Sequence, residues 1–388
     1  MNVTERFLKY ITFATASDED STTFPSTSGQ LVLADYLTEE LRMIGVADAQ
    51  RDLNGYVYGH IPATPGFENE PVIGLIAHMD TSPDAPGENV NPKIVKYDGK
   101  NLPMIDDRYI GEDMIVSDGT TLLGADDKAG VAEIVSACER LINGEVNHGA
   151  VSICFTPDEE IGSGADRFDY ELFAADFAYT VDGGELGGIE YENFNAAAVR
   201  LNVYGLNTHP GSAKGKMRNA ALYLNEFISM LPDAETPAHT EGREGFYHVS
   251  YVNGTESKAE LHMIIRDHDR EKFEGRKLFV SRLAAYLNDK YGDGTFSLQI
   301  TDSYYNMREI IEKHMEIVER AKEAMLANGV EPVITAIRGG TDGARLSFEG
   351  LPCPDISTGG MNYHSIYEAI PVSALGKMTD IIVKIVEA

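Results

Sequence analysis

Three short apolar segments limit the possible folds of this chain most. Each of them has the length of a strand, and each is followed within three residues by an acidic residue. They span residues 72–77, 150–156 and 177–181. Near-continuous apolar runs of this length are typical of strands buried in a parallel sheet. Segments with helical spacing lie between them, including one from Asp127 to about residue 143. We therefore predict an α/β domain with a mixed, largely parallel sheet that is flanked by helices.

Polar residues stand at the carboxyl end of each predicted strand. The first strand runs into His78-Met79-Asp80, the second into Asp158-Glu159-Glu160 and the third into Asp182, while Asp126 and Asp127 begin the intervening helix. Ligands of α/β sheets collect outside the carboxyl ends of the strands. Capping or solvation explains any one of these acids. Their recurrence in successive strand–helix units exceeds what capping requires, and it indicates a binding site.

A different pattern begins near residue 195. The segment 196–205 alternates with period two, as in an antiparallel strand with one exposed face. The following hundred or so residues have the order β-α-β-β-α-β, which matches the ferredoxin-like motif. A chain of 388 residues is long for one core. We expect a first part of the α/β domain at 1–194, an inserted ferredoxin-like α+β domain at 195–303 and a second part of the α/β domain at 304–388.

Composition and charge exclude several classes of protein. The formal net charge of −30 disfavours nucleic acid or an anionic membrane as a partner, since both require basic surface. The three cysteines are far apart and odd in number, which indicates reduced thiols. The first residues have no apolar signal-peptide core, and no apolar run has the length of a membrane span. These features favour a soluble, cytoplasmic chain.

The candidate residues have the chemistry of a metal centre. A second histidine, His364, follows in a glycine-rich loop and joins His78 and the strand-end acids. Imidazole and carboxylate ligands suit zinc, Co²⁺ or Mn²⁺, whereas histidines are poor calcium ligands. More acids are present than one tetrahedral ion needs, so two ions that share an aspartate are the economical arrangement. A remaining glutamate can then act as a general base, and a remaining carboxylate can orient a histidine.

The motifs resemble those of the co-catalytic dizinc peptidase family, which includes acetylornithine deacetylase and succinyl-diaminopimelate desuccinylase. The similar segments are 78–80, 124–130, 158–162, 182–184 and His364, and the resemblance covers essentially the whole chain. The segments 79–84, 209–211 and 338–343 resemble in particular the members that release the N-terminal residue from tripeptides. The resemblance therefore implies a metallo-aminopeptidase with an inserted lid, two zinc ions and short peptides as substrates.

The resemblance also implies a role for each metal ligand. His78 and Asp182 would hold one zinc ion, Glu160 and His364 the other, and Asp126 would bridge the two. Co²⁺ or Mn²⁺ could substitute for zinc. The peptide bond after Asp126 is expected to be cis in this family.

Five further residues are assigned to the reaction by the same resemblance. Glu159 would be the general base, and Asp80 would orient His78 from behind the metal. His209 would support the oxyanion, although a histidine before a proline is also an ordinary turn residue. Arg266 and Arg338 would bind the C-terminal carboxylate of the substrate, for which the fork of a guanidinium is suited.

Two alternatives stay open at the level of sequence. A related dizinc amide hydrolase, either a dipeptidase or an N-acyl amino acid deacylase, would have the same metal ligands, because fold and metal do not fix the substrate. A catalytically silent binding protein on the same fold is disfavoured by the complete set of ligands. The chain could be a monomer or a homodimer through the lid.

Overall fold

The computed structural model describes all 388 residues, and they form two compact units. The large unit contains Met1–Tyr191, Met307–Thr335 and Thr341–Ala388. The insert unit contains Glu192–Asn306 and Ala336–Gly340. The bounds 195–303 for the lid domain stay a prediction.

The strands, in chain order, are β1 (Gln50–Arg51), β2 (Val57–Ile61), β3 (Ile73–His78), β4 (Lys93–Lys96), β5 (Asp113–Val116), β6 (Val151–Thr156), β7 (Phe177–Val181), β8 (Gly188–Asn193), β9 (Asn195–Tyr204), β10 (Phe246–Gly254), β11 (Lys258–Asp267), β12 (Phe296–Tyr304), β13 (Val333–Ile337), β14 (Asp355–Ile356) and β15 (Ala369–Pro371). The helices are α1 (Val3–Tyr10), α2 (Ser28–Ile44), α3 (Ala125–Ile142), α4 (Tyr170–Phe173), α5 (Ala220–Ser229), α6 (Arg270–Tyr291), α7 (Arg308–Ile311), α8 (Met315–Ala327), α9 (Asp342–Phe348) and α10 (Val372–Val386).

An eight-stranded sheet forms the centre of the large unit, in the order β1-β2-β6-β3-β7-β14-β8-β13. Strand β3 pairs in parallel with β6 and with β7, and β14 pairs in parallel with β7. Strands β2 and β8 pair antiparallel with their inner neighbours. All residues of β3 and β6 are buried, as expected of central strands covered on both faces. The predicted mixed, largely parallel α/β sheet is confirmed.

Helix α3 packs closely on this sheet. It contacts β3 and β7 and also packs against α1 and α10. Gly130 allows the close approach, because a methyl group at its Cα would lie 2.0 Å from the carbonyl oxygen of Val181. The small residues after Asp127 therefore set the distance between this helix and the ends of the strands.

The insert unit is a separate α+β layer. Its four antiparallel strands have the order β10-β11-β9-β12, with α5 and α6 packed against them. Buried and partly exposed residues alternate along β11, as the period-two pattern predicts. The strand order and helix positions are those of the ferredoxin-like motif that the sequence predicts for the insert.

The structure adds a few local elements to the predicted architecture. The long polar section after Asp80 carries β4 and β5, which form a small sheet with β15. Residues 308–327 form two helices, because non-helical backbone at His314 separates α7 from α8. Strands β8 and β14 and helix α9 are not predicted from the sequence. None of the helices combines the length and the apolar character needed to cross a membrane.

Candidate metal centre

The ends of three parallel strands bring the candidate residues together. His78 is the last residue of β3, Glu159 and Glu160 lie in a short 3-10 turn just after β6, and Asp182 follows β7. Because β3, β6 and β7 are parallel neighbours, their carboxyl ends lie at one edge of the sheet. The bond between Asp126 and the next residue is cis, as the resemblance implies.

Two groups of possible metal ligands share one aspartate. In the first group, Nε2 of His78 lies 2.9 Å from Oδ1 of Asp126 and 3.6 Å from Oδ1 of Asp182. In the second, Nε2 of His364 lies 2.9 Å from Oε2 of Glu160 and 3.3 Å from Oδ2 of Asp126. The ligand atoms within each group lie within 4.8 Å of one another. Asp126 thus presents one oxygen to each group, which is the geometry of a bridging ligand.

Asp80 lies behind the first group and has three neighbours. Its Oδ1 lies 3.2 Å from Nδ1 of His78, although the two atoms are not aligned for a full hydrogen bond. The same oxygen accepts the backbone N–H of Glu159 at 3.0 Å, and Oδ2 accepts that of Glu160 at 3.1 Å. Asp80 is completely buried. One carboxylate therefore joins the histidine to the turn that carries both glutamates.

The charges of the two groups perturb one another. Burial opposes ionisation of Asp126, but hydrogen bonds from His364 and His78 hold the pKa of its carboxyl well below the usual range. Hydrogen bonds to Asp126 and Glu160 raise the pKa of His364 to about 11. Burial raises the pKa of Glu160 to about 7. Carboxylates this close and this buried require positive charge among them.

Glu159 has the environment of a proton carrier. Burial raises the pKa of its carboxyl well above the ordinary value, with His78 acting in the opposite direction and the acids Asp342 and Asp182 adding to the rise. A carboxyl group whose pKa is shifted towards neutrality can both accept and donate a proton at physiological pH.

The residues fit a pair of divalent ions. Oε1 of Glu160 is buried and has no hydrogen-bond partner, so this carboxylate has a free ligand atom inside the second group. Imidazole nitrogens together with carboxylate oxygens are the ligands that zinc and similar ions prefer. The arrangement contains no cysteine, and structural zinc sites usually do.

Two supporting carboxylates are not found by sequence reasoning. Glu368 accepts the backbone N–H groups of Leu123, Gly124 and Asp126 at 2.7, 2.8 and 3.0 Å. Asp342, at the start of α9, accepts the hydroxyl of Thr156 at 3.0 Å, and burial raises its pKa to about 7. The only signal for Glu368 in the sequence is its position four residues after His364.

Asp158 is the one member of the acidic run that faces away from the two groups. It accepts the backbone N–H and the hydroxyl of Ser26 at 2.6 and 2.5 Å, and the amide of Gln30 at 2.6 Å. Its own N–H donates to Gln30. Asp158 therefore fixes the turn that carries the two glutamates to the start of α2.

The three predicted substrate residues lie in the insert unit. His209 is exposed, and its Nδ1 accepts the N–H of Gly211 at 3.2 Å. Arg266 stacks on the ring of Tyr304, and its Nη1 is buried with no hydrogen-bond partner. Arg338 instead donates from both Nη atoms to a lid loop at residues 240–244. Both Nη atoms of Arg338 therefore already donate to the protein, whereas Nη1 of Arg266 does not.

Close relatives are known for the whole chain. It is 53% identical over 401 residues to peptidase T of Caldanaerobacter subterraneus, a match that covers 99% of this chain and 98% of the relative. It is 54% identical over 403 residues to peptidase T of Clostridium novyi, with 99% and 98% covered. The chain belongs to the peptidase T family. It is therefore an enzyme of the peptidase class.

Solved structures share the fold of this family member. Aminopeptidase PepT of Bacillus cereus has a TM-score of 0.79 at 23% identity, with 99% of this chain and 97% of that chain covered. A tripeptidase of Staphylococcus aureus has a TM-score of 0.81 at 21% identity, with 100% and 97% covered. A Bacillus subtilis protein described as a dinuclear metal-binding peptidase of the M20 family has a TM-score of 0.69 at 15% identity, with 99% and 96% covered.

A family model described as a peptidase dimerisation domain matches residues 191–295. The match falls almost entirely on the insert unit.

Proposed function

We propose that this family member is a two-metal aminopeptidase that releases the N-terminal residue from tripeptides. The observation that carries the proposal is the position of Asp126, which is shared between two ligand groups, while the next residue to Glu160 is Glu159, a partly buried glutamate with a raised pKa. The names of relatives agree with it, since they include proteins called peptidase T, an aminopeptidase and a tripeptidase.

We propose that each of the two groups holds one metal ion. His78 and Asp182 would hold one zinc ion, Glu160 and His364 the other, and Asp126 would touch both. When bound, such a pair polarises a carbonyl group and lowers the pKa of bound water to near neutrality. The description of the Bacillus subtilis neighbour as dinuclear supports the number of ions.

In this proposal Glu159 transfers the proton, and Asp80 holds Glu159 and His78 in position. Glu159 takes a proton from the attacking water and returns it to the departing amine, which its raised pKa permits. Asp80 holds the backbone of Glu159 and the ring of His78 in one arrangement. Because one carboxylate contacts both Glu159 and His78, the distance between the general base and this metal ligand stays constant during turnover.

Residues of the insert unit would bind the oxyanion that forms at the reacting peptide bond and the C-terminal carboxylate of the substrate. Because Nδ1 of His209 accepts a hydrogen bond, its neutral ring carries the proton on Nε2 and can donate it to an oxyanion. The free Nη1 of Arg266 suits the C-terminal carboxylate. A substrate role for Arg338 stays a prediction, since its donors hold the loop at 240–244.

We also propose that the chain forms a homodimer through its insert unit, on the basis of the dimerisation-domain match. Light scattering after size-exclusion chromatography measures this directly. A cytoplasmic location agrees with three buried cysteines that form no disulfide.

A peptide-length panel tests the proposed function. Di-, tri- and tetrapeptides of one sequence, together with the matching N-acyl amino acid, are assayed on a sample whose metal content is measured. We expect the highest kcat/KM for the tripeptide, with release of the N-terminal residue. Preference for the dipeptide or for the N-acyl amino acid would instead identify a dipeptidase or a deacylase. A metal-loaded sample that hydrolyses none of them would refute the proposal.

A further inference from the structure

Arg266, Ala196 and Tyr304 form a row across three adjacent strands of the insert unit. Arg266 on β11 pairs with Ala196 on β9, and Ala196 pairs in turn with Tyr304 on β12. Residues in register on neighbouring strands point to the same face of a sheet. The methyl group of Ala196 is small, so the long side chain of Arg266 can cross it. Its guanidinium carbon lies 4.8 Å from the centre of the Tyr304 ring.

The ring of Tyr304 is also held by the backbone of Gly340. A methyl group at Gly340 would lie 2.7 Å from both Cε1 and Cζ of the ring. Carbon atoms do not approach to this distance, so any residue other than glycine would displace the ring. The glycine at position 340 is thus a steric requirement for the position of Tyr304.

One nitrogen of Arg266 has no acceptor. Its Nη1 is buried and has no hydrogen-bond partner, whereas the Nη atoms of Arg338 donate to the carbonyl of Gly242 and the hydroxyl of Thr240. A buried guanidinium N–H without an acceptor is unfavourable unless a ligand supplies one. Stacking on an aromatic face fixes the plane of the guanidinium, and hence the direction in which this donor points.

We propose that Tyr304 and Gly340 are positioning residues that orient Arg266 to bind the C-terminal carboxylate of the substrate. The inference rests on the proposed peptidase function and adds to it the origin of the preference for a free carboxylate. Tyr304 acts by stacking, and Gly340 acts by leaving space for the ring. Neither residue contacts the reacting peptide bond in this account.

The test compares one tripeptide with the same tripeptide amide, which lacks the terminal charge. The variants are Tyr304→Leu, which removes the stacking face, and Gly340→Ala, which displaces the ring. In both we expect KM for the free acid to rise about 10- to 100-fold, the usual effect of misplacing one charged hydrogen bond, with kcat nearly unchanged. Hydrolysis of the amide should change less than about threefold, so the preference for the acid is lost.

Four further variants separate this role from general damage to the fold. Gly275→Ala is the matched control, because a methyl group there meets no atom within 4 Å, and it should leave both substrates unaffected. Tyr304→Phe keeps the ring and should retain the preference. Arg266→Ala should lose the preference, and adding Tyr304→Leu to it should cause little additional loss, because both act on one interaction.

The outcomes are distinct. Folded Tyr304→Leu and Gly340→Ala enzymes that keep the wild-type preference for the acid would overturn the inference. A wild-type enzyme that hydrolyses acid and amide equally would also overturn it and leave the proposed peptidase function intact. A metal-loaded wild type that hydrolyses neither peptide would refute the proposed function and this inference together.

Discussion

Substitution of Asp80 tests how the site is held together. Its carboxylate accepts two backbone N–H groups, from Glu159 and Glu160, and lies beside Nδ1 of His78. Asp80→Asn preserves the shape but replaces one acceptor oxygen by an N–H₂ group. At least one of the three contacts then becomes a donor facing a donor.

The expected loss follows from the strength of these contacts. A hydrogen bond to a charged acceptor contributes about 1.5–3 kcal/mol. At about 1.4 kcal/mol for each factor of ten, loss of one such bond in the transition state lowers kcat roughly 10- to 100-fold. Asp80→Ala removes all three contacts and should lower kcat further. Because Asp80 belongs to neither ligand group, both variants should retain most of their metal.

The assay measures kcat on a tripeptide together with metal content by mass spectrometry on the same sample. Asp48→Asn is the control, because Asp48, in a turn, accepts a hydrogen bond from Nδ1 of His60 on β2 at 2.6 Å in a half-exposed pair. The control should keep wild-type activity. An Asp80→Asn enzyme with unchanged kcat would refute the reasoning, and so would one that loses both ions in proportion to its activity.

Two further substitutions have defined outcomes. Glu368→Gln places an amide against three backbone N–H donors, so we expect weaker metal binding in equilibrium dialysis and lower kcat, and unchanged metal affinity would contradict the role of Glu368. Asp355 is buried opposite Glu190 and near Asp182 and Asp342, and burial followed by the charge of Glu190 raises its pKa well above the ordinary value. Because the folded pKa exceeds the unfolded value, the penalty for ionising Asp355 is absent below the unfolded pKa and grows as the pH rises towards the folded pKa. Asp355→Asn should therefore raise the melting temperature more at pH 8 than at pH 5, and an equal change at both pH values would show that ionisation is not the cause.

The strand-end residues could be predicted because their positions follow from local patterns. Apolar runs of strand length predict β3, β6 and β7, and parallel neighbours must end at the same edge of the sheet. His78, Glu160 and Asp182 therefore had to lie close together once the strands were recognised. Period-two alternation, also a local pattern, predicts the first antiparallel strand of the insert unit.

The supporting residues could not be predicted, because their contacts are distant in sequence. Glu368 accepts hydrogen bonds from the backbone of residues 123–126, which lie more than 240 residues before it in the sequence. No pattern in either segment indicates this contact. Asp342 stands in a glycine-rich stretch that reads as a loop, yet Thr341 caps a helix there by accepting the N–H of Ala344. Strand β14 has two residues, too few for any periodicity.

The assignment of Arg338 shows a different limit. As an arginine in a glycine-rich segment, Arg338 is suited to bind a carboxylate, and Arg266 at the end of a strand is equally suited. Only the structure shows that Arg338 donates to a carbonyl and a hydroxyl of the loop at residues 240–244, while Nη1 of Arg266 has no acceptor. Sequence predicts the chemistry a side chain can perform, and tertiary contacts decide whether its donors are already used.

The most direct test of the central claim is the metal content and turnover of Glu159→Gln, measured on one sample beside the wild type. Glu159 belongs to neither ligand group, so the account predicts two bound ions for each chain in both proteins. It also predicts that the variant loses nearly all tripeptide hydrolysis, since an amide cannot carry the proton. Substantial turnover by the variant would contradict the assignment of the base. Fewer than two ions in the fully loaded wild type would contradict the shared role of Asp126.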